Sequence, residues 1–294
     1  LKALKTKITR LDMLIFFILA AACVWIAYRI TVKVHYNWNW GVMPQYLFRF
    51  DAAESRWVAG LIVQGVLITL RLSIYSIVVA MIIGTVMGLF RTSRSPFRRM
   101  IGWSYVEIIR NIPILVWIFI FYFFISDQFI PTIGLDDSAG LKSEFTRDLV
   151  SFFFISPAQF PAFLSGLLAL GIYEGAYITE IVRAGIQSID RGQWEAASAL
   201  GFSRYHQLRH IIFPQAAKNV LPPLAGQFIS VIKDSSIVSV ISIQELTFQG
   251  MELMSATFLT FEVWITVMVL YFLICLVCSL GVERLEIHMK RGMV

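Results

Sequence analysis

The sequence predicts an all-α integral membrane protein with about six transmembrane helices and one short polar helix pair between the later spans. Hydrophobic residues make up 57% of the 294-residue chain and charged residues only 15%, with 24 Phe and a mean hydropathy of +0.72. Apolar stretches of about 20 residues, the length that crosses a hydrocarbon core, recur along it. A single long polar segment, residues 185–220, combines helix-start and helix-stop signals with basic residues.

The spans fall at residues 11–31, 70–90, 101–125, 162–182, 221–243 and 258–282, with Lys233 and Asp234 interrupting the fifth. Residues 1–33 read as a transmembrane anchor, 34–57 as an external loop and 58–294 as the core, which carries a further external loop at 127–161. The stretch 51–69 is expected to start as a helix outside the membrane and then enter it. Lys and Arg favour cytoplasmic flanks. Lys2, Lys5, Lys7 and Arg10, then Arg91, Arg94, Arg98 and Arg99, then the 185–220 loop, then Arg284, Lys290 and Arg291 place both termini on the cytoplasmic side. The other side receives Trp38, Trp40 and Trp57 and the acidic run Asp136, Asp137, Glu144 and Asp148. Topology therefore accounts for the net charge of +6, and nucleic acid is not implied as a partner.

The first span has signal-like features ending at Ala20-Ala21-Ala22-Cys23, but its apolar run continues to Ile30, so an uncleaved anchor is predicted. Cys275 and Cys278 lie within the last span with no further ligand near in sequence, so packing is predicted and no metal site. Gly84 and Gly88, and Gly171, Gly175 and Thr179, are small residues spaced to let helix backbones approach.

In the polar loop, Asp190 with Gln193 forms a capping-box signal and Gly201 a stop. The short helix between them has Glu195 in its expected first turn and the small residues Ala196, Ala197, Ser198 and Ala199, which suit close docking by another surface. A second helix, 203–213, is expected to end at Pro214 and to support the first through Leu208, Ile211 and Ile212.

Ionisable groups at bilayer depth cost about 2.5 to 3.5 kcal/mol each on insertion scales, so each needs a partner or a wet surface. Glu174 lies roughly 13 Å inward from Arg183 at a rise of about 1.5 Å per residue, near the midplane. It either bonds a neighbouring helix or lines a substrate path that takes an ammonium. Glu180 with Arg183, and Glu107 with Arg110, have ion-pair spacing along one helix. Pro113 after Arg110-Asn111 marks a helix start or kink. Lys233, Asp234, Ser235 and Ser236 read either as a polar site on the path or as a buried pair joining two helices.

Glu195, Ala196, Ala197, Gly201, Ile211 and Pro214 resemble the coupling-loop pattern of bacterial ABC importer permeases. Further blocks resemble the polar amino acid uptake members: Gly65, Thr69-Leu70 and Ser73; Glu107 to Pro113; Ala176-Tyr177 to Glu180 and Arg183; Gly192-Gln193; and Lys233 to Ser236. Arg110-Asn111-Ile112-Pro113 and Asn37-Trp38-Asn39-Trp40 look most like glutamate/aspartate or general amino acid types. The resemblance implies the type I permease fold of ABC importers, and docking of an ATPase subunit on Trp194, Glu195, Ala196, Ala197, Leu200 and Gly201. It places Glu107, Arg110, Pro113, Glu180, Arg183 and Pro214 in structural motifs. The substrate-path candidates Tyr173, Glu174, Tyr177 and Lys233 to Ser236 come from their polarity at bilayer depth, and a carboxylate at Glu174 departs from the family's commonest pattern, which is often neutral there. The resemblance implies as partners an ATP-binding subunit dimer, a second permease chain (identical or homologous), a periplasmic amino acid-binding protein and the lipid bilayer of the bacterial inner membrane.

No Gly-Lys pair occurs, so the chain has no phosphate-cradling P-loop; ATP and Mg belong on the partner subunit, and no cofactor is expected here. A secondary ion-coupled amino acid transporter is the alternative, but no inverted repeat is evident and the polar helix pair would have no purpose in it. No catalytic residues are predicted. His206 and His210 share a helix face without a third ligand, and His35 and His288 lie elsewhere in loops or tails.

Overall fold

The computed structural model describes residues 10–33, 36–51, 55–132 and 154–291. The acidic run Asp136, Asp137, Glu144 and Asp148 lies outside the described residues, as do Lys2, Lys5, Lys7 and His35. Two compact units divide the chain, Leu1–Trp40 and Gly41–Val294. The first holds α1 (Arg10–Lys33), a helix over the expected first span.

The second unit opens with α2 (Met43–Leu47) and an antiparallel strand pair, β1 (Phe48–Asp51) and β2 (Arg56–Ala59), where 51–69 was expected to begin as helix. Alternation of Phe48 and Phe50 with Arg49 and Asp51, and the β-favouring Trp57 and Val58, suit a hairpin better than a helix. The helix follows at Leu61, nine residues before the span expected from 70, because Leu61-Ile62-Val63 already extends the apolar run.

The remaining elements are α3 (Leu61–Arg91), α4 (Pro96–Arg110), α5 (Ile114–Phe121), α6 (Phe160–Gln187), α7 (Arg191–Ala199), α8 (Phe213–Asp234), α9 (Leu246–Thr257) and α10 (Thr260–Arg291). Among the described residues four helices are long and apolar enough to cross a membrane: Leu61–Arg91, Pro157–Gln187, Arg204–Ile241 and Thr260–Arg284. A fifth span is present if α4 and α5 count as one, bent by 100°. The bend sits at Asn111-Ile112-Pro113, where the expected kink falls, since Pro113 has no N–H to continue the α4 ladder. The expected count of six is thus reached only as four or five.

The centre of the second unit is the contact of α3 with α6. Ser76 Oγ donates to the Leu167 carbonyl, Gly171 meets Val79, Gly84 meets Gly175 and Ile178, and Gly88 meets Thr179 and Val182. Both numbers rise together, so the two helices run parallel, as alternate spans must. A Cβ at Gly84 would lie 2.5 Å from Ile178 Cγ2 and 2.9 Å from the Gly175 carbonyl oxygen. Helix α8 runs antiparallel to α6, with Gly185 against Val220 at one end and Gln227 beside Glu174 further along.

The close approach predicts that Gly84→Val, by overpacking, costs roughly 2 kcal/mol. Thermal unfolding of the detergent-purified complex should show a clear loss of Tm, while Gly281→Ala, whose added Cβ meets nothing within 4 Å, should leave it unchanged.

Candidate functional site

Midway along α6, Glu174 is fully buried, and its Oε2 accepts a hydrogen bond from Gln227 Nε2 of α8. The Asp234 carboxylate, at the end of α8, is its neighbour. Glu174 Oε1 is buried and accepts no hydrogen bond from the described residues. Tyr173 sits close to both carboxylates, and its hydroxyl is 3.1 Å from that of Tyr177. The Arg110 guanidinium lies 4.8 Å from the centre of the Tyr177 ring. Of the residues predicted for a substrate path, Tyr173, Glu174, Tyr177 and Asp234 therefore converge. Lys233 is exposed, so it forms no buried pair with Asp234. Ser235 is buried with its hydroxyl donating to the Ile232 carbonyl, and Ser236 presents its carbonyl to Ser239. Gln227 was not foreseen, although a lone amide seven residues before Asp234 shares its helical face.

Toward the C-terminal end of α6, Arg183 pairs with Glu180 as its spacing predicts, at 2.7 Å from Nη2. Arg91 of α3 adds a second bridge to Glu180 at 3.3 Å, a long-range partner that local spacing does not reveal. Glu107 and Arg110 are engaged elsewhere than with each other: the Glu107 carboxylate accepts from Asn111 Nδ2 at 3.1 Å, and Arg110 faces Tyr177.

Beyond α6, Asp190 caps α7 by accepting from Gly192 N at 2.7 Å. The other half of the expected capping box is absent, because the Gln193 side chain accepts from Gln215 of α8 instead. Arg191 opens the helix and Glu195 falls beyond its first turn, which contains no acidic residue. At the far end Gly201 has φ +78°, and the Gly201 and Phe202 amides donate to the Ser198 and Ala197 carbonyls. This paired closure, with glycine at the left-handed position, is the stop the sequence announces. Glu195, Ala196, Leu200 and Gly201 are exposed, Leu200 to 75%. Ala197 is buried and Trp194 half-buried, with the Arg204 guanidinium 3.7 Å from the Trp194 ring centre. The supporting helix does not close at Pro214. Arg204–His206 leads through a π-helical stretch, Gln207–Ile212, directly into α8.

A third polar cluster escaped notice in the sequence. Glu245 caps α9, accepting from the Thr247 and Phe248 amides, and its carboxylate also receives the Tyr271 hydroxyl at 2.8 Å and Thr69 Oγ1 at 3.4 Å. Burial pushes its carboxyl up to about 7, opposed by those hydrogen bonds. It ties α3, α9 and α10 together.

The family of binding-protein-dependent transport system inner membrane components matches residues 76–291. This chain belongs to that family. It is a permease subunit of an ATP-driven transporter, and hydrolysis resides on a separate chain. It is similar to the probable glutamine ABC transporter permease protein GlnM of Bacillus subtilis, 35% identical over 224 residues, 76% of this chain and 91% of that one. It is also similar to the glutamine transport system permease protein GlnP of Escherichia coli, 34% identical over 78% of this chain and 93% of GlnP. Among solved structures it resembles an amino acid ABC transporter with histidines: TM-score 0.65, 30% identity, covering 86% of this chain and all of that one. The permease therefore has the type I fold of ABC importers.

Because Glu245 satisfies four donors from three helices, Glu245→Ala should destabilise the permease by about 2 kcal/mol or more, read as a Tm loss of the purified complex. Tyr271→Phe, which removes one donor and leaves the cap, should lose less.

Proposed function

We propose that this permease forms the pathway of an amino acid importer of the bacterial inner membrane, and that its α6–α8 pair carries the substrate contact. The observation supporting this most is the buried Glu174 beside Asp234, with one carboxylate oxygen that accepts from no N–H or O–H donor among the described residues. A buried acceptor without a donor is costly unless something supplies one. The ammonium of an amino acid does so, and Tyr173, Tyr177 and Gln227 add neutral polar groups around it. Two neighbouring carboxylates repel an acidic side chain, so the site favours neutral or cationic amino acids over glutamate and aspartate, although the latter are suggested by local motifs. The glutamine systems among the relatives are in keeping with a neutral substrate.

In this reading α7 docks on the ATPase subunit through Glu195, Ala196, Leu200 and Gly201, with Trp194 and Ala197 holding it from behind. Two permease chains, identical or homologous, two ATP-binding subunits carrying ATP and Mg, and a periplasmic binding protein complete the importer. Both termini and α7 lie in the cytoplasm, and α1 provides the sixth span. Nucleotide-driven movement of α7 alternates access of the α6–α8 site.

Glu174→Gln should lower uptake in proteoliposomes containing the complete importer and its binding protein by tenfold or more, since hydrogen bonds to charged groups are worth about 1.5–3 kcal/mol. Basal ATP hydrolysis should stay within about twofold; unchanged uptake and selectivity would sink the substrate assignment. Gly201→Asp changes an exposed position with open space around it. It should cost only about 1 kcal/mol of stability yet release the ATPase subunit during co-purification, and normal retention would refute the docking assignment.

A further inference from the structure

The C-terminal end of α3, the first turns of α4 and the last turns of α6 border an open pocket of about 380 Å³ whose lining includes Arg91, Arg99, Met100, Trp103, Arg183 and Gln187. Three arginines line it. One carboxylate, Glu180, bridges Arg91 and Arg183, so positive charge is left over. Arg183 is held in place by Glu180 and by Gln187, to which its Nη1 donates. Arg91 Nη1 is buried and has no hydrogen-bond partner among the described residues, so the charge behind this wall is only partly compensated. Guanidinium groups bind phosphate oxygens through strong, charge-assisted hydrogen bonds. The remaining wall is apolar: Met100 and Trp103 are 56% and 53% exposed on α4. Tryptophan favours the depth where hydrocarbon meets headgroups.

We infer that this pocket is a binding site for the phosphate of an anionic phospholipid headgroup, with the acyl chains passing along Met100 and Trp103. Basic pockets between membrane helices at the cytoplasmic face suit such headgroups. The inference rests on the orientation proposed above, which puts this end of the bundle at the inner leaflet. The headgroup joins the ends of three helices just where α6 leads into α7.

The test uses the intact complex with its ATPase subunits in nanodiscs of phosphatidylcholine and increasing phosphatidylglycerol, with lipid retained after extraction counted by native mass spectrometry. Arg99→Gln should weaken phosphatidylglycerol retention about fivefold. Arg98→Gln removes the same charge one residue away, outside the pocket, and should retain lipid as the wild type does. Inorganic phosphate should fail to displace the lipid. Equal retention by wild type and Arg99→Gln, or equal losses in the two variants, overturns the site, and displacement by inorganic phosphate overturns the lipid as its occupant. Retention is read without transport, so it stands or falls separately from the importer reading.

Discussion

Close backbone contact between α3 and α6 is the constraint on which the rest of the permease depends. In a bilayer apolar side chains gain nothing by leaving lipid for one another, so helices associate where small residues let main chains and side chains interlock. Gly84 and Gly88 receive Ile178 and Val182, while Gly171 receives Val79. The contact sets the two helices parallel and in fixed register. Arg91 can reach Glu180 only because that register holds, while Tyr105 ties α4 to α6 by donating to the Ile172 carbonyl at 2.6 Å.

From that fixed contact α6 continues without a break to Gln187 and, after a two-residue link, into the Asp190 cap of α7. At about 1.5 Å per residue the helical stretch from Glu174 to Gln187 is roughly 20 Å long. A stiff helix of that length couples its ends mechanically. The Arg91–Glu180 ion pair lies between those ends and braces the helix against α3, so a displacement passed through the short link from α7 would reach the buried carboxylate along one rod.

The membrane class, the kink at Pro113, the glycine contacts and both ends of α7 were legible because each is written in local spacing or in a residue whose backbone preference is strong. Asp190 and Gly201 declare helix ends through their own chemistry. What could not be read depends on partners distant in sequence. Arg91 chooses Glu180 across 89 positions, Gln227 chooses Glu174 across 53, and Glu245 collects Thr69 and Tyr271. The hairpin before α3 was missed because its apolar residues adjoin a span, and hydropathy does not distinguish a strand leading into the membrane from the helix that follows. Glu107 and Arg110 had the right spacing and found better partners, the Asn111 amide and the Tyr177 ring, since spacing permits an ion pair without requiring one.

Pro214 carries the last consequence. A proline ordinarily ends a helix by withholding its N–H from the carbonyl four residues back. Here the preceding turns are π-helical, and the Phe213 amide already donates to Leu208, five residues back. The wider turn changes the register before the proline arrives, so its missing donor breaks no ladder and the chain runs on as α8. The support behind α7 is therefore the root of α8 itself. Gln207 donates to Ser198 Oγ and to the Phe202 carbonyl, and Gln215 to Gln193, which fastens α7 to that root. Glu174 belongs to α6, whereas Gln227 and Asp234 belong to α8, and α6 ends and α8 begins at the same clamp. A displacement of α7 thus acts on both sides of the buried polar cluster at once, and the hydrogen bond between Gln227 and Glu174 is where the two motions meet.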